Sequence, residues 1–191
     1  AKNNAVYMYH VHYKWNKNIV LPDGENVHIT QIKWSFKENV FAVMYLNDVQ
    51  KKLSVAMVNS ETLIAKRVYT YTDNRFISPD IASTILFFPE NDNFAILSDK
   101  DGYTHAYVYT QAGILKYQIG KGNFDVTKIY GYDAKNKLVY YQSTENGPLN
   151  RGVYAIGLYD GKKRALAQED GTNDASFSAN YGYFVRTYSS I

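Results

Sequence analysis

Ile85-Leu86-Phe87-Phe88, Phe94-Ala95-Ile96-Leu97-Ser98, His105-Ala106-Tyr107-Val108-Tyr109 and Leu115-Lys116-Tyr117-Gln118-Ile119 are four short apolar or aromatic runs separated by polar breaks. Each has the length of a strand, and aromatic side chains suit a half-buried pleated surface. Asp101-Gly102, ahead of the third run, is a hairpin signal because glycine tolerates positive φ. Strand side chains alternate, so Tyr103, His105, Tyr107 and Tyr109 fall on one face. Four consecutive strands joined by short turns make an up-and-down antiparallel sheet, the shape of one propeller blade.

The same pattern recurs on both sides of this unit. A short aromatic strand leads through a tight polar turn to a second apolar strand. The other instances are Ile32–Phe36 before Val40–Tyr45, Ile129–Tyr132 before Leu138–Gln142, and Ala175–Ser178 before Tyr183–Thr187. The anchors Phe41, Phe94, Leu138 and Tyr183 are spaced 53, 44 and 45 residues apart. Periods of roughly 40–50 residues with several strands each are those of propeller blades. Leu53–Val58 with Ala65–Tyr71, and Val153–Leu158 with Arg164–Ala167, supply the outer strands of the flanking units. Val6–Val11 and Asn18–Leu21 read as the outer half of a blade, Ala175–Ser178 and Tyr183–Thr187 as an inner half. The expected fold is all-β: a partial β-propeller of four-stranded antiparallel blades, about three full blades plus two half-blades, in a single domain over residues 1–191. The terminal halves are expected to pair, within the chain or between two chains, because an open blade exposes unpaired backbone groups.

Composition agrees with a packed β domain. Hydrophobic residues make up 46% of the 191, and 19 Tyr and 9 Phe stand against only 4 Pro, which favours strands over disorder. No apolar run approaches the roughly 20 residues of a membrane helix. The formal charge of +3 is small, and Lys162-Lys163-Arg164, after the turn signal Asp160-Gly161, reads as a solvated hairpin rather than a nucleic-acid surface. There is no cysteine, which excludes disulfides, thiolate metal sites and a cysteine nucleophile but does not fix the compartment. The chain begins Ala1-Lys2-Asn3-Asn4 and ends Tyr188-Ser189-Ser190-Ile191, and both ends read as cuts through a larger protein.

The residues of catalysis are sparse. The sequence has no Gly-x-Ser-x-Gly nucleophile turn, no glycine-rich phosphate loop and no His-Glu-x-x-His motif. His10 and His12, two apart, would share a strand face and permit a metal, but read better as exposed strand histidines. His28 stands alone, and His105 on its aromatic face reads as a satisfied structural imidazole. Asp99 and Asp101 flank Lys100, where a calcium site is conceivable; the better reading is a turn. Asp23, Asp92, Asp133, Asp160 and the Glu169-Asp170 pair read as turn residues too. No catalytic residue, metal ligand or cofactor is therefore assigned, and the substrate-binding residues stay unknown.

Several stretches resemble the propeller domain of the dipeptidyl peptidase IV family, prolyl-oligopeptidase-like serine exopeptidases. Ser98-Asp99-Lys100-Asp101-Gly102-Tyr103-Thr104-His105-Ala106-Tyr107-Val108-Tyr109 is similar to that family's Ser-x-x-Asp-Gly-Tyr-x-His-Leu-Tyr-x-Tyr run. Gly120-Lys121-Gly122-Asn123-Phe124-Asp125-Val126 resembles its Thr-Lys-Gly-x-Trp-Glu-Val segment, with Phe124 and Asp125 for Trp and Glu. Val139–Arg151 resembles a strand followed by a Ser-Pro-Leu-x-Arg loop, with Gly152 where His is common. Gly171–Ser178 and Tyr183–Ser189 resemble the closing Gly-x-His and Tyr-Ser pattern, with Asn173 in the histidine's place.

The resemblance implies a propeller of about eight blades capping an α/β-hydrolase domain that carries Ser, Asp and His. It implies a non-catalytic segment of a periplasmic or secreted serine dipeptidyl peptidase, whose propeller restricts access to short or unfolded peptides. The implied partners are the parent's hydrolase domain, peptide substrates and a possible second copy; nucleic acid is not expected. The family's Glu-Glu amine anchor has no counterpart, since the chain contains no Glu-Glu dipeptide. The alternative is a stand-alone binding propeller for protein–protein or glycan interaction. Under either reading the aromatic pairs Trp34/Phe36, Phe87/Phe88 and Tyr130/Tyr132 are expected to pack blade against blade, and Trp34→Ala to lower stability sharply.

Overall fold

The computed structural model describes residues 4–190. Among them are sixteen strands and one short helix, in two two-stranded and three four-stranded antiparallel sheets. The architecture is that of a partial propeller. The chain divides into two compact units, Ala1–Asp92 with Thr110–Ile114, and Asn93–Tyr109 with Leu115–Ile191.

In the first unit, β1 (Val6–Tyr9) pairs with β2 (Asn16–Ile19). A four-stranded sheet follows, β3 (Val27–Trp34), β4 (Val40–Asn47), β5 (Lys52–Asn59) and β6 (Ala65–Thr72), each strand hydrogen-bonded to the next. The helix α1 (Pro79–Ala82) and the strand β7 (Ile85–Phe87) come next. In the second unit lie β8 (Phe94–Ser98), β9 (His105–Tyr109) and β10 (Leu115–Ile119), whose sheet has the order β10-β9-β8-β7. Then come the four-stranded β11 (Val126–Asp133), β12 (Leu138–Ser143), β13 (Gly152–Gly157) and β14 (Lys163–Ala167) and the hairpin of β15 (Thr172–Phe177) and β16 (Phe184–Ser189).

The middle pair of strands in each blade is buried along nearly its whole length. Both faces of β4 and β5 are covered from Phe41 to Leu46 and from Leu53 to Val58, and every residue of β8 and β9 is buried. A strand covered on both faces reads as a continuous apolar run rather than an alternating one, which is what Phe41-Ala42-Val43-Met44-Tyr45-Leu46 and Phe94-Ala95-Ile96-Leu97 show. The fourth strands are outermost and wet: β10 and β14 open with exposed residues. Side chains of aspartate and asparagine close the turns. Asn47 Oδ1 accepts from Lys51 N and Lys52 N at 2.9 and 3.0 Å, and Asn59 Oδ1 from Glu61 N and Thr62 N at 3.0 and 2.8 Å. Asp133 Oδ1 accepts from Lys135 N and Asn136 N at 2.9 and 3.1 Å. Gly113 (φ +84°) lies so close to Val68 that a Cβ would sit 1.8 Å from the Val68 carbonyl oxygen, so the turn at Ala112-Gly113 admits only glycine.

The half-blades are held by packing on their neighbours. Val6, Ile19 and Leu21 join Val27, Phe41, Val43, Tyr45, Ala56 and Val58 in one core. In the second unit Ala175 packs with Val153 and Ala167, with Tyr130 and Phe177 alongside. The expected ladder between the terminal halves is not formed within the chain: among the described strands β1 is laddered to β2 and β15 to β16, with Thr172 of β15 also bridged to Arg151. The first hairpin is also shorter than expected. It turns at His10–Trp15, where His10 N donates to Trp15 O at 3.0 Å and Lys14 takes φ +52°.

Phe87 and Phe88 are buried, at 2% and 1% exposure, and Tyr132 is buried. Trp34 and Phe36 are not: they are 57% and 63% exposed, Trp34 leaning on Phe41 with ring centroids 5.0 Å apart. They close the rim of β3 instead of filling an inter-blade layer. Trp34→Ala is therefore expected to cost only about 1 kcal/mol. A urea midpoint that moves by the several-fold larger amount of a core deletion would contradict this placement.

Candidate functional site

Among the described residues polar side chains converge on Glu145, which accepts from Tyr141 Oη at 2.7 Å and Ser143 Oγ at 3.1 Å, and on three aspartates, each of which ties one structural element to another. Asp23, in the turn between β2 and β3, collects four side chains from the adjoining sheet. Tyr45 Oη donates to its Oδ2 at 2.9 Å and Ser54 Oγ at 3.0 Å; Lys52 Nζ and Arg67 Nη1 each reach Oδ1 at 2.6 Å. β4, β5 and β6 all contribute, so one carboxylate fixes the first hairpin to the first full blade. Burial opposes the charge on Asp23, but the hydrogen bonds from Lys52, Tyr45 and Ser54 outweigh it and hold the carboxyl below its ordinary range. Burial, reinforced by Asp23, pushes the Tyr45 phenol far up.

Asp174 does the same for the last hairpin. Tyr130 Oη on β11 donates to Asp174 Oδ1 at 2.5 Å, and Lys128 Nζ lies 3.1 Å from that oxygen. Ala175 N donates to Tyr130 Oη at 3.2 Å. Burial opposes ionisation of Asp174, and the donors Tyr130, Ala175 N and Lys128 more than offset it, lowering its pKa. Beside it, buried Asn173 spends both amide hydrogens on Arg151 O and Glu169 O, at 2.9 and 2.8 Å, while Gln142 Nε2 donates to Asn173 O at 2.7 Å. Asn150 Oδ1 accepts from Gly171 N at 2.8 Å, and Asn146 Nδ2 donates to Gln168 O at 2.8 Å. The Glu145–Arg151 loop is thus stapled to the segment that enters β15. Tyr130→Phe, which deletes the hydroxyl between Asp174 and Ala175 N, is expected to cost about 1–2 kcal/mol; an unchanged unfolding midpoint would show that the hydroxyl holds nothing.

The third aspartate lies in the Asp-Gly-Tyr-x-His stretch. Asp101 Oδ1 is 3.3 Å from His105 Nδ1, and Gln118 Nε2 donates to Asp101 Oδ2 at 3.0 Å. Burial works against the Asp101 charge, and bonds from Tyr107, His105 and Gln118 prevail, lowering its pKa. The His105 and Phe124 rings meet in a T-shaped contact with centroids 5.4 Å apart. Lys100 Nζ sits 3.7 Å from the centre of the Tyr107 ring and donates to Tyr109 Oη at 3.0 Å. The Gly-Lys-Gly-Asn-Phe-Asp segment is anchored here as well, since Thr104 N donates to Asp125 Oδ1 and Val126 N to Thr104 O, both at 2.7 Å.

The other residues singled out in the sequence are dispersed. His10 and His12 lie in the turn after β1 rather than on a strand face, and His10 Nδ1 accepts from Tyr13 N at 3.3 Å. His28 is exposed on β3. Asp99 offers its carbonyl to Gly102 N, closing the β8–β9 turn, and Asp160 Oδ1 accepts from Lys162 N at 3.0 Å. Asp92 adopts φ +55° at the turn before β8. Glu169 binds Arg186 at 2.7 Å, and Lys163 pairs with Glu145. Among the described residues no three or more His, Asp or Glu side chains gather as metal ligands. No helix among them is long and apolar enough to cross a membrane. Sequence reading placed Asp23 at a turn, gave Asp174 no role of its own, and missed the partners of both; the signal available for Asp23 was Ser54, a hydroxyl inside the apolar run Leu53–Val58.

A family model described as the dipeptidyl peptidase IV (DPP IV) N-terminal region matches residues 2–191. The chain belongs to that family. Among solved structures, Porphyromonas gingivalis dipeptidyl peptidase 4 superposes with a TM-score of 0.87 at 36% identity, over 97% of this chain and 26% of that one. A putative dipeptidyl aminopeptidase IV from Bacteroides ovatus, at 23% identity and a TM-score of 0.77 over 97% of this chain and 29% of that one, shares the fold. A probable dipeptidyl peptidase 4 of Aspergillus flavus is 29% identical over 174 residues, which is 84% of this chain and 22% of that protein. The dipeptidyl peptidase 4 of Trichophyton rubrum is 27% identical over 98% of this chain and 25% of its own length. The chain thus spans about a quarter of the length of these relatives. In this chain Asp23 and Asp174 fasten the terminal hairpins to the neighbouring sheets, and Asp101 braces a turn within one blade.

Proposed function

We propose that this chain is a non-catalytic propeller segment of a serine dipeptidyl peptidase that removes dipeptides from the amino ends of peptides. Its part is to form wall of the chamber that limits entry to short or unfolded substrates. The match of the DPP IV N-terminal region to residues 2–191 carries this reading. The use of the polar side chains supports it: Asp23, Asp101, Asp174 and Asn173 are engaged in holding strands and turns in place, the work of a rigid scaffold. A bounded chamber achieves specificity through sterics, by excluding folded chains rather than by binding one side chain tightly.

The chemistry itself belongs to an α/β-hydrolase domain elsewhere in the parent. The same reading places the parent in the periplasm or outside the cell, and admits pairing of two copies. The test uses the intact parent protein with peptides of graded length and with a folded protein that has the same amino-terminal residues. Dipeptide release should fall steeply with substrate bulk. Loosening the scaffold through Asp174→Ala should narrow the gap between bulky and short substrates before it abolishes turnover of the short ones. Equal loss on every substrate, or no discrimination by bulk in the wild type, would overturn the chamber role.

A further inference from the structure

We propose that Ser98 and His105 form a buried site for one ordered water molecule, which completes an Asp101–His105–water–Ser98 hydrogen-bonded relay across the mouth of the β8–β9 turn. Ser98 and His105 are directly opposed in the antiparallel register of β8 and β9. Opposed residues share a face, with Cβ atoms about 4.5–5.5 Å apart. Both are sealed from solvent, at 0% and 2% exposure, and both carry a buried polar atom without a protein partner: Ser98 Oγ and His105 Nε2. Two such atoms on opposed residues of one face are a costly coincidence unless something joins them, because buried polar groups are otherwise almost always satisfied.

The chemistry of the joining group follows from the other side of the ring. Asp101 Oδ1 stands 3.3 Å from His105 Nδ1, and its pKa is lowered, so the carboxylate is an acceptor. Nδ1 therefore carries a ring proton, and in the neutral ring Nε2 offers a lone pair. The required ligand donates to Nε2 and also bonds a serine hydroxyl, which can give or take. Water meets both demands with donors and acceptors to spare. One neutral imidazole and one hydroxyl make a poor donor set for a cation. The ring is held in place for this role by the T-shaped contact with Phe124, centroids 5.4 Å apart, and Asp101 by Gln118 Nε2 at 3.0 Å. The relay then spans the turn from its last β8 residue to its first β9 residue, and accounts for a histidine in the Asp-Gly-Tyr-x-His stretch through hydrogen bonding at both ring nitrogens.

The test joins two measurements on the unaltered protein. High-resolution crystallography should show a water peak within hydrogen-bonding distance of both Ser98 Oγ and His105 Nε2. Nitrogen NMR with labelled histidine should show Nε2 as the unprotonated ring nitrogen. In Ser98→Ala, with the fold checked by circular dichroism, the peak should weaken or vanish and the His105 Nε2 resonance should shift. A dry site, a direct Ser98–His105 bond, a protonated Nε2, or an Nε2 resonance unmoved by Ser98→Ala would each overturn the proposal.

Discussion

Phe94→Ala is expected to lower the unfolding free energy by about 3–5 kcal/mol, the range for deleting a buried aromatic side chain. Phe94 opens β8, is fully buried, and stacks on Tyr109 of the neighbouring strand at 5.8 Å between ring centroids. Its partner in the register is that same Tyr109, so the two rings form a cross-strand pair as well as a core contact. Truncation removes the burial and leaves a void among side chains held by backbone ladders on both sides, which leaves little room for collapse. Urea denaturation measures the effect, and the contrast with Trp34→Ala is the informative part. Both are large aromatic side chains at the end of a strand beside a turn, yet Phe94 is covered and Trp34 is 57% exposed. Equal costs for the two would mean that the burial pattern described here is wrong.

Asp23→Ala is expected to cost about 2–4 kcal/mol, because it strands two buried hydroxyls, those of Tyr45 and Ser54, and frees two cations that are partly exposed. Lys52 and Arg67 keep much of their hydration, so their share is screened and the hydroxyls decide the size. Asp23→Asn, which keeps an acceptor oxygen, should cost about half as much. The pH dependence has a fixed sign. The folded-state pKa of Asp23 lies below its ordinary value of 3.8. The stability it supplies is therefore complete above that value and is lost as pH falls through the folded pKa below it. Asp23→Asn should flatten that acid limb and leave the slope at neutral pH unchanged. An acid limb identical in the variant and the wild type would remove Asp23 from the set of stabilising carboxylates.

How much of this could be read from the chain depended on whether the signal was local. The runs Phe94–Ser98, His105–Tyr109 and Leu115–Ile119 coincide with β8, β9 and β10 because each is apolar and bounded by turn residues. The start of β3 was missed by five residues, because Val27-His28-Ile29-Thr30 mixes apolar and polar positions and bulges between Ile29 and Gln31. The helix at Pro79–Ala82 had a local signal, Ser78 ahead of Pro79, with Ser78 Oγ accepting from Asp80 N at 3.3 Å, but one turn is too short for periodicity to reveal. Trp34 and Phe36 misled because aromatic character reports a preference for burial, not the presence of a neighbour to supply it. The aspartate hubs were invisible for a different reason. Asp23 meets Arg67 across 44 residues of sequence, and Asp174 meets Tyr130 across 44, so no window of the chain contains both partners.

The central claim is that each blade is sealed on both faces of its middle strands and open along its outer ones. Hydrogen exchange read by mass spectrometry tests it directly. Amides of β4, β5, β8, β9, β12 and β13 should exchange slowest, and those of β16, exposed along its whole length, among the fastest. Protection spread evenly over all strands, or concentrated in β16 and β14, would contradict the account.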